Sequence, residues 1–217
     1  MRPKHLAIEL SKLTPHPQQS VELEQYATEG DLAAFLVLAI DQLDDLNCKS
    51  IVDIGSGNGV LGLGCAMIGA SKITLIEADE TVNNVAKSNC EKVMSKYRCK
   101  TKIITCMLGI DKAPIVSDID IVVMNPPWGF QTNKADRPLI DYAFSLKPKS
   151  IYVLHSAKAN HIMAIAKNNG YQGEIVFQSN FRLPPKYSHQ SRKMGQTEVR
   201  CWRFYLPGDK KIHDQEE

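Results

Sequence analysis

With 217 residues, 43% of them hydrophobic and 23% charged, the chain can bury one substantial core and has the balance of a globular domain rather than a disordered or fibrous one. Its longest apolar run, "LAAFLVLAI" at 32–40, is too short to cross a bilayer, and "MRPKHLAIELSK" lacks the apolar centre of a secretory signal, so a cytoplasmic location is expected. Six cysteines without a C-x-x-C pair point to reduced thiols rather than a disulfide framework or a zinc site, and the net charge of +2 excludes nothing by itself.

In chain order, a short helix is expected near residues 4–13. The proline-containing stretch "TPHPQQSVELEQYATEG" that follows reads as an arm laid over the domain. Residues 31–46 form a buried helix with Asp31 placed to cap it. "SIVDIG" is a β-branched strand, followed by a helix over about 60–69. "SKITLIEAD" is the second strand, with a helix through "ETVNNVAKSNCEKVMSK". "CKTKIITCM" and "DIDIVVMN" are the third and fourth strands. A helix near 138–146, the strand "SIYVLH" and a helix at 157–168 come next. Alternating strands and helices predict parallel crossovers and a doubly wound α/β sheet. The chain then departs from this rhythm. "GEIVFQSNFRL" and "TEVRCWRFYL" have no helix between them and predict an antiparallel hairpin at the sheet edge. The expected division is an arm at 1–30 covering the site, one domain over 31–210 and a flexible tail at 211–217.

Ligands of such sheets bind at the carboxyl ends of strands, and three stretches of this chain fall there. The first is "VDIGSGNGVLG", which sets Gly55, Gly57 and Gly59 between a strand and its helix and places Asp53 at the strand end. Glycines let the backbone turn sharply and approach a ligand. The second is Glu77, which closes the next strand where an acid accepts the hydroxyls of a ribose in nucleotide-binding folds. Gly57-Asn58-Gly59-Val60-Leu61-Gly62 also satisfies G-x-G-x-x-G, so a dinucleotide enzyme is a rival. The D-x-G-x-G-x-G spacing and the flanking acid favour S-adenosylmethionine.

The third stretch is "MNPPWGF", and it joins a buried strand to a stiff turn. Proline removes a donor and fixes φ, so Pro126 and Pro127 hold whatever precedes and follows them. An exocyclic adenine amine is a poor nucleophile because its lone pair is delocalised into the ring. Two acceptors against its N–H bonds free that pair, and the Asn125 side-chain oxygen and the Pro126 carbonyl are suited to the task. Trp128 offers a face for a flipped base, worth about 1–3 kcal/mol, the alternative being an ordinary core tryptophan. His155 ends the fifth strand and reads as a satisfied structural histidine. Cys65 and Cys106 read as small buried residues.

Charge is unevenly spread. Residues 182–211 carry eight basic side chains, Arg200 and Arg203 among them, against two acids, a local net charge of +6. Together with Tyr187 this is the electrostatic footprint of a polyanion partner, set against a merely solvated face.

Taken together, "DIGSGNG", "IEAD" and "NPPW" resemble class I S-adenosylmethionine-dependent methyltransferases that modify amino groups. "LEQYATEG", "MNPPWG", "NKADRP", "YVLHSAK" and "LPPKYSHQSRK" narrow this to a resemblance with the methyltransferase-like protein five family and its archaeal relatives, over about residues 20–206. The resemblance implies a Rossmann-like, mostly parallel seven-stranded sheet and formation of N6-methyladenosine in small-subunit ribosomal RNA. It implies that Gln25, Tyr26 and Thr28 cover the cofactor, that Asp53, Gly55, Gly57 and Gly59 line its methionine part, and that Glu77 meets its ribose. Asn125, Pro126, Pro127 and Trp128 would form the catalytic turn, Asn125 also bordering the cofactor. Lys186, Tyr187, His189, Arg192 and Lys193 would approach the RNA backbone, where phosphate contacts set affinity and orientation. Ala27 replaces the family's usual proline. Met107 stands where an aspartate usually meets the cofactor's adenine amine, leaving that contact to backbone and predicting weaker affinity. Eukaryotic members pair with a small zinc-binding activator; the sequence does not show whether this chain does, and a partner-independent monomer is an equal alternative. Two rivals remain at this point: a glutamine N5-methyltransferase acting on a translation factor, and a non-catalytic RNA-binding subunit.

Overall fold

A computed structural model describes residues 1–17, 30–128, 134–182 and 196–208, with backbone alone at 180–182 and 196–197. Five strands run parallel: β1 (Ser50–Ile54), β2 (Lys72–Glu77), β3 (Lys100–Thr105), β4 (Ile121–Met124) and β5 (Ser150–Ser156). Two more, β6 (Gln172–Arg182) and β7 (Gln196–Tyr205), pair antiparallel with each other, and β7 lies antiparallel to β5. The sheet order is β3-β2-β1-β4-β5-β7-β6. The crossover helices are α3 (Val60–Ile68), α4 (Glu80–Met94), α5 (Arg137–Ser145) and α6 (His161–Asn168), and α1 (Pro3–Ser11) and α2 (Gly30–Asp44) precede the first strand. Among the described residues no helix is long and apolar enough to cross a membrane.

The strands are unbroken apolar runs because both faces of the sheet are covered. Alternation then sorts the side chains. Ile51 and Val123 join Leu6, Leu36, Leu63 and Leu75 in one core with α1 to α4. Val52, Ile54, Val122 and Met124 join Ile140, Phe144, Ile162 and Phe204 in the other, with α5 and α6. Asp53 shares the parity of Ile51, so its carboxylate faces α3.

Three expectations are corrected. Helix α2 begins at Gly30, so Asp31 lies inside its first turn, where an acid complements the helix dipole. Helix α6 begins at His161 rather than 157, because Ala157 N–H donates to Glu198 C=O (2.9 Å) and carries the β5–β7 ladder one residue further. Arg203 does not belong to a polyanion site. It is 7% exposed, and its guanidinium is committed to Asp44 (2.5 and 3.0 Å) and Glu174 (2.8 Å), with Tyr152 Oη donating to the same Asp44 (2.5 Å). That network ties the end of α2 to β5, β6 and β7.

Candidate active site

The strand order reverses between β1 and β4, the place where open α/β sheets bind ligands at their carboxyl edge. Ile54 and Met124, the last residues of β1 and β4, are register partners. The glycine loop and the Asn-Pro-Pro-Trp turn therefore leave the sheet side by side and border one crevice.

The loop is held from below. Gly55 and Ser56 N–H both donate to Ile76 C=O (2.8 and 3.1 Å). Gly59 sits at φ 84°, in the left-handed region, immediately before α3, and a Cβ there would lie 3.0 Å from the Leu75 side chain. Only glycine meets both demands. Gly62 is needed for a different reason. A Cβ on it would come within 2.9 Å of Leu75, 3.0 Å of Ile73 and 3.1 Å of Asp53 Cβ, so α3 packs this close to the sheet only without one.

Both acids are buried and engaged. Asp53 is 1% exposed and accepts from Gly62 N–H at 2.8 Å. Burial pushes its carboxyl up to about 7, the Gly62 bond opposing the rise and the charge of Glu77 adding to it. Glu77 accepts three backbone N–H bonds, from Gly57 (2.9 Å) on one oxygen and from Ala78 (2.9 Å) and Asp79 (3.2 Å) on the other. A carboxylate has about four acceptor sites, so one remains for a hydroxyl without loss of a native bond. A ribose hydroxyl fits this acid, and the glycine backbone leaves room beside it; these residues suit S-adenosylmethionine.

On the β4 side, Pro126 is buried, Asn125 and Pro127 are partly exposed, and Trp128 is 8% exposed. Trp128 Nε1 donates to Asn125 Oδ1 at 3.1 Å, and its ring stacks at 29° on His155, with centroids 6.2 Å apart. His155 is 2% exposed, and its Nδ1 accepts from Ser156 N–H (2.8 Å). Its Nε2 lies 3.2 Å from Asp136 Oδ2, near enough for attraction although poorly aimed for a hydrogen bond. His161 Nε2 reaches the same oxygen at 2.6 Å. Burial raises the Asp136 carboxyl, but the neighbouring His155 and His161 side chains outweigh it and hold the group below its ordinary value.

Met107 lies beyond β3 and is 37% exposed. Its N–H donates to Asp111 Oδ2 (2.7 Å), and its C=O accepts from Ile110 and Asp111 N–H (3.0 and 2.9 Å). An acid thus stands in this loop four residues after the position where the sequence resemblance leads one to look for it. Sequence reasoning gave no role to Asp111, which meets Met107 within its own loop, or to Asp136, which meets His155 and His161 from later elements. Gln25, Tyr26 and Thr28 lie outside the described residues, as do Ala27 and Lys186, Tyr187, His189, Arg192 and Lys193. Cys65 and Cys106 are buried.

Comparison with known proteins agrees with this geometry. Residues 32–176 match the family model described as "Conserved hypothetical protein 95". An rRNA N(6)-adenosine-methyltransferase of Danio rerio is 27% identical over 207 residues, covering 94% of this chain and 99% of that protein. The corresponding Drosophila melanogaster enzyme is 26% identical over 193 residues, covering 87% and 89%. A Pyrococcus horikoshii structure, provisionally described as an RNA methyltransferase, superposes with a TM-score of 0.80 at 30% identity, covering 95% of this chain and 98% of its own.

Proposed function

The chain belongs to the conserved hypothetical protein 95 family of methyltransferases, and from that premise we propose that it methylates the N6 amine of adenosine in RNA, small-subunit ribosomal RNA in particular. The observation that carries the reading is the adjacency of the glycine loop and the Asn125–Trp128 turn across the β1–β4 crevice. A donor site and an acceptor turn are then within reach of one substrate amine.

S-adenosylmethionine supplies an electrophilic methyl group on a sulfonium. The chain's own residues do the rest. Asp53, Gly55, Gly57 and Gly59 would border the methionine part, Glu77 would take a ribose hydroxyl, and the backbone neighbouring Met107 would face the adenine, with Gln25, Tyr26 and Thr28 covering the cofactor. Asn125 Oδ1 and the Pro126 carbonyl accept the two N–H bonds of the substrate amine and favour a pyramidal nitrogen whose lone pair is free to attack. The prolines keep both acceptors in place before substrate arrives. The bound donor would supply the methyl group, its C–S pair leaving with sulfur as the N–C bond forms, and the amine's extra proton would pass to water. No base on the protein is required.

Trp128 stacks the flipped base on the ring face turned away from His155, a face that substrate entry has to uncover because the ring is only 8% exposed. Lys186, Tyr187, His189, Arg192 and Lys193 contact the RNA backbone. The partner is RNA and the location cytoplasmic; a small zinc-binding activator is carried by the resemblance alone.

The test supplies labelled S-adenosylmethionine to the purified protein with ribosomal RNA, digests the RNA and looks for N6-methyladenosine, with Asn125→Ala beside it. Label in adenosine that vanishes in the variant supports the reading. Label on an extract protein and none in RNA points instead to glutamine methylation.

A further inference from the structure

Three titratable side chains that the methyl transfer leaves unused meet behind the turn. Asp136, 4% exposed, stands just before α5; His155, 2% exposed, ends β5; His161 opens α6. They come from chain positions up to 25 residues apart and converge on one carboxylate oxygen, Asp136 Oδ2.

The chemistry of the contacts gives their direction. His155 Nδ1 accepts the Ser156 N–H, so that nitrogen carries no proton and the ring's proton sits on Nε2, toward Asp136. The imidazole is thus held by a hydrogen bond at its Nδ1 edge and lies 3.2 Å from the Asp136 carboxylate at the other. Its face carries the indole of Trp128, nearly parallel at 29°. An indole nitrogen only donates, so the Asn125 atom 3.1 Å from it is oxygen. A carboxamide has two orientations of almost equal shape, and only one puts the oxygen against a donor. Asn125 is therefore held in one flip by Trp128, and the ring of Trp128 packs against His155.

We propose that His155, braced by Asp136, is a positioning residue for the reaction, acting through the Trp128 indole N–H to keep the Asn125 carboxamide in its working orientation. This rests on the reading above that Asn125 Oδ1 accepts from the substrate amine. Phenylalanine in the same place would supply a ring without a donor, so the lock depends on the indole N–H.

The test uses the full chain labelled with 15N. There are two tryptophans, so the Trp128 indole N–H resonance is assigned by its loss in Trp128→Phe. His155→Phe keeps a ring under the indole but removes both polar edges; Asp136→Asn keeps the shape of the brace and removes its charge, and serves if the first variant fails to fold. Each is compared with wild type for the position and solvent exchange of that resonance, and for kcat and KM of RNA methylation. We expect the resonance to move and exchange faster. The kcat should fall about 10- to 100-fold, as a misplaced acceptor demands, while KM for the methyl donor stays within about twofold. An unmoved resonance, whatever the rate, overturns the proposal, because the effect then does not pass through Trp128. A moved resonance with unchanged kcat overturns it equally. If wild-type protein methylates no RNA, the functional reading fails, and the resonance alone still decides whether His155 sets the indole.

Discussion

Asn89 holds both backbone groups of Thr14 at once: its Oδ1 accepts the Thr14 N–H at 2.8 Å and its Nδ2 donates to the Thr14 C=O at 3.0 Å. The same Nδ2 reaches Asn58 C=O (3.0 Å), and Asn58 Nδ2 returns to Thr14 C=O (3.0 Å). A fully buried side chain on α4 thus joins the start of the N-terminal arm to the glycine loop. Truncation strands several of these groups, each worth about 1–3 kcal/mol when left unpaired. Asn89→Ala is expected to lower unfolding free energy by roughly 2–4 kcal/mol. It should also weaken S-adenosylmethionine binding more than an equally destabilising core variant such as Ile162→Ala. Denaturation and calorimetry on both variants check this; equal losses of affinity would refute the link between arm and loop.

Asp53 gives the pH dependence. Its carboxyl titrates at about 7 in the folded chain and at an ordinary 3.8 when unfolded. Folding therefore favours the protonated form. The stability this gives is complete below about pH 4 and is lost as pH rises to about 7. The loss amounts to about 1.4 kcal/mol per pH unit between the two values, a ceiling of roughly 4 kcal/mol. Asp53→Asn keeps an acceptor for Gly62 N–H and escapes the penalty. The variant should gain on wild type progressively between pH 5 and 7 and hold that gain at pH 8. Urea denaturation across this range decides it. A gain that is constant with pH would mean that Asp53 does not titrate there.

How much of this was legible in the sequence follows from the range of the interactions. The strands β1, β2 and β4 carry their own signal, because a run such as "IVVM" is apolar on both faces only if both are covered. The glycine loop, Glu77 and the Asn-Pro-Pro-Trp turn were legible for a similar reason: backbone needs and chemistry sit in a few consecutive residues. The start of α6 was misjudged because its boundary is set by a bond from Ala157 to Glu198, a strand away. Arg203 looked like its basic neighbours until the fold placed Asp44, 159 residues earlier, against it. Asp136 and Asn89 were silent for the same reason.

Arg203 and Lys186 should respond differently although both lie in the basic segment. Arg203 is buried in an ion-pair network, and removing one partner of such a network costs about 3–5 kcal/mol. Arg203→Met should thus lower stability and leave the salt dependence of RNA binding unchanged. Lys186→Ala should leave stability within about 0.5 kcal/mol and reduce the slope of log affinity against log salt by about 1. Filter binding at several salt concentrations, with parallel melts, separates them. A slope change in the arginine variant would return that residue to the RNA site.

Gly62 offers the sharpest steric prediction. It lies in the first turns of α3, where alanine is normally the better helix former by about 1 kcal/mol. Propensity alone would make Gly62→Ala stabilising. Yet the added methyl would sit 2.9 Å from Leu75, 3.0 Å from Ile73 and 3.1 Å from Asp53 Cβ, three directions on one sheet face, two of them in fully buried residues. Leu75 and Ile73 are both fully buried, so the methyl is accommodated by lifting α3, and overpacking of this kind costs about 1–3 kcal/mol. Lifting α3 also stretches the Gly62–Asp53 bond and shifts the glycine loop at its head. Gly62→Ala should therefore be destabilised by about 1–2 kcal/mol net and bind S-adenosylmethionine several-fold more weakly, whereas Gly64→Ala, which meets chiefly the Val37 methyl at 2.9 Å, should lose stability with little change in binding. Paired melting and calorimetry of the two variants measures how far the helix-to-sheet distance, rather than the loop residues alone, sets the cofactor site.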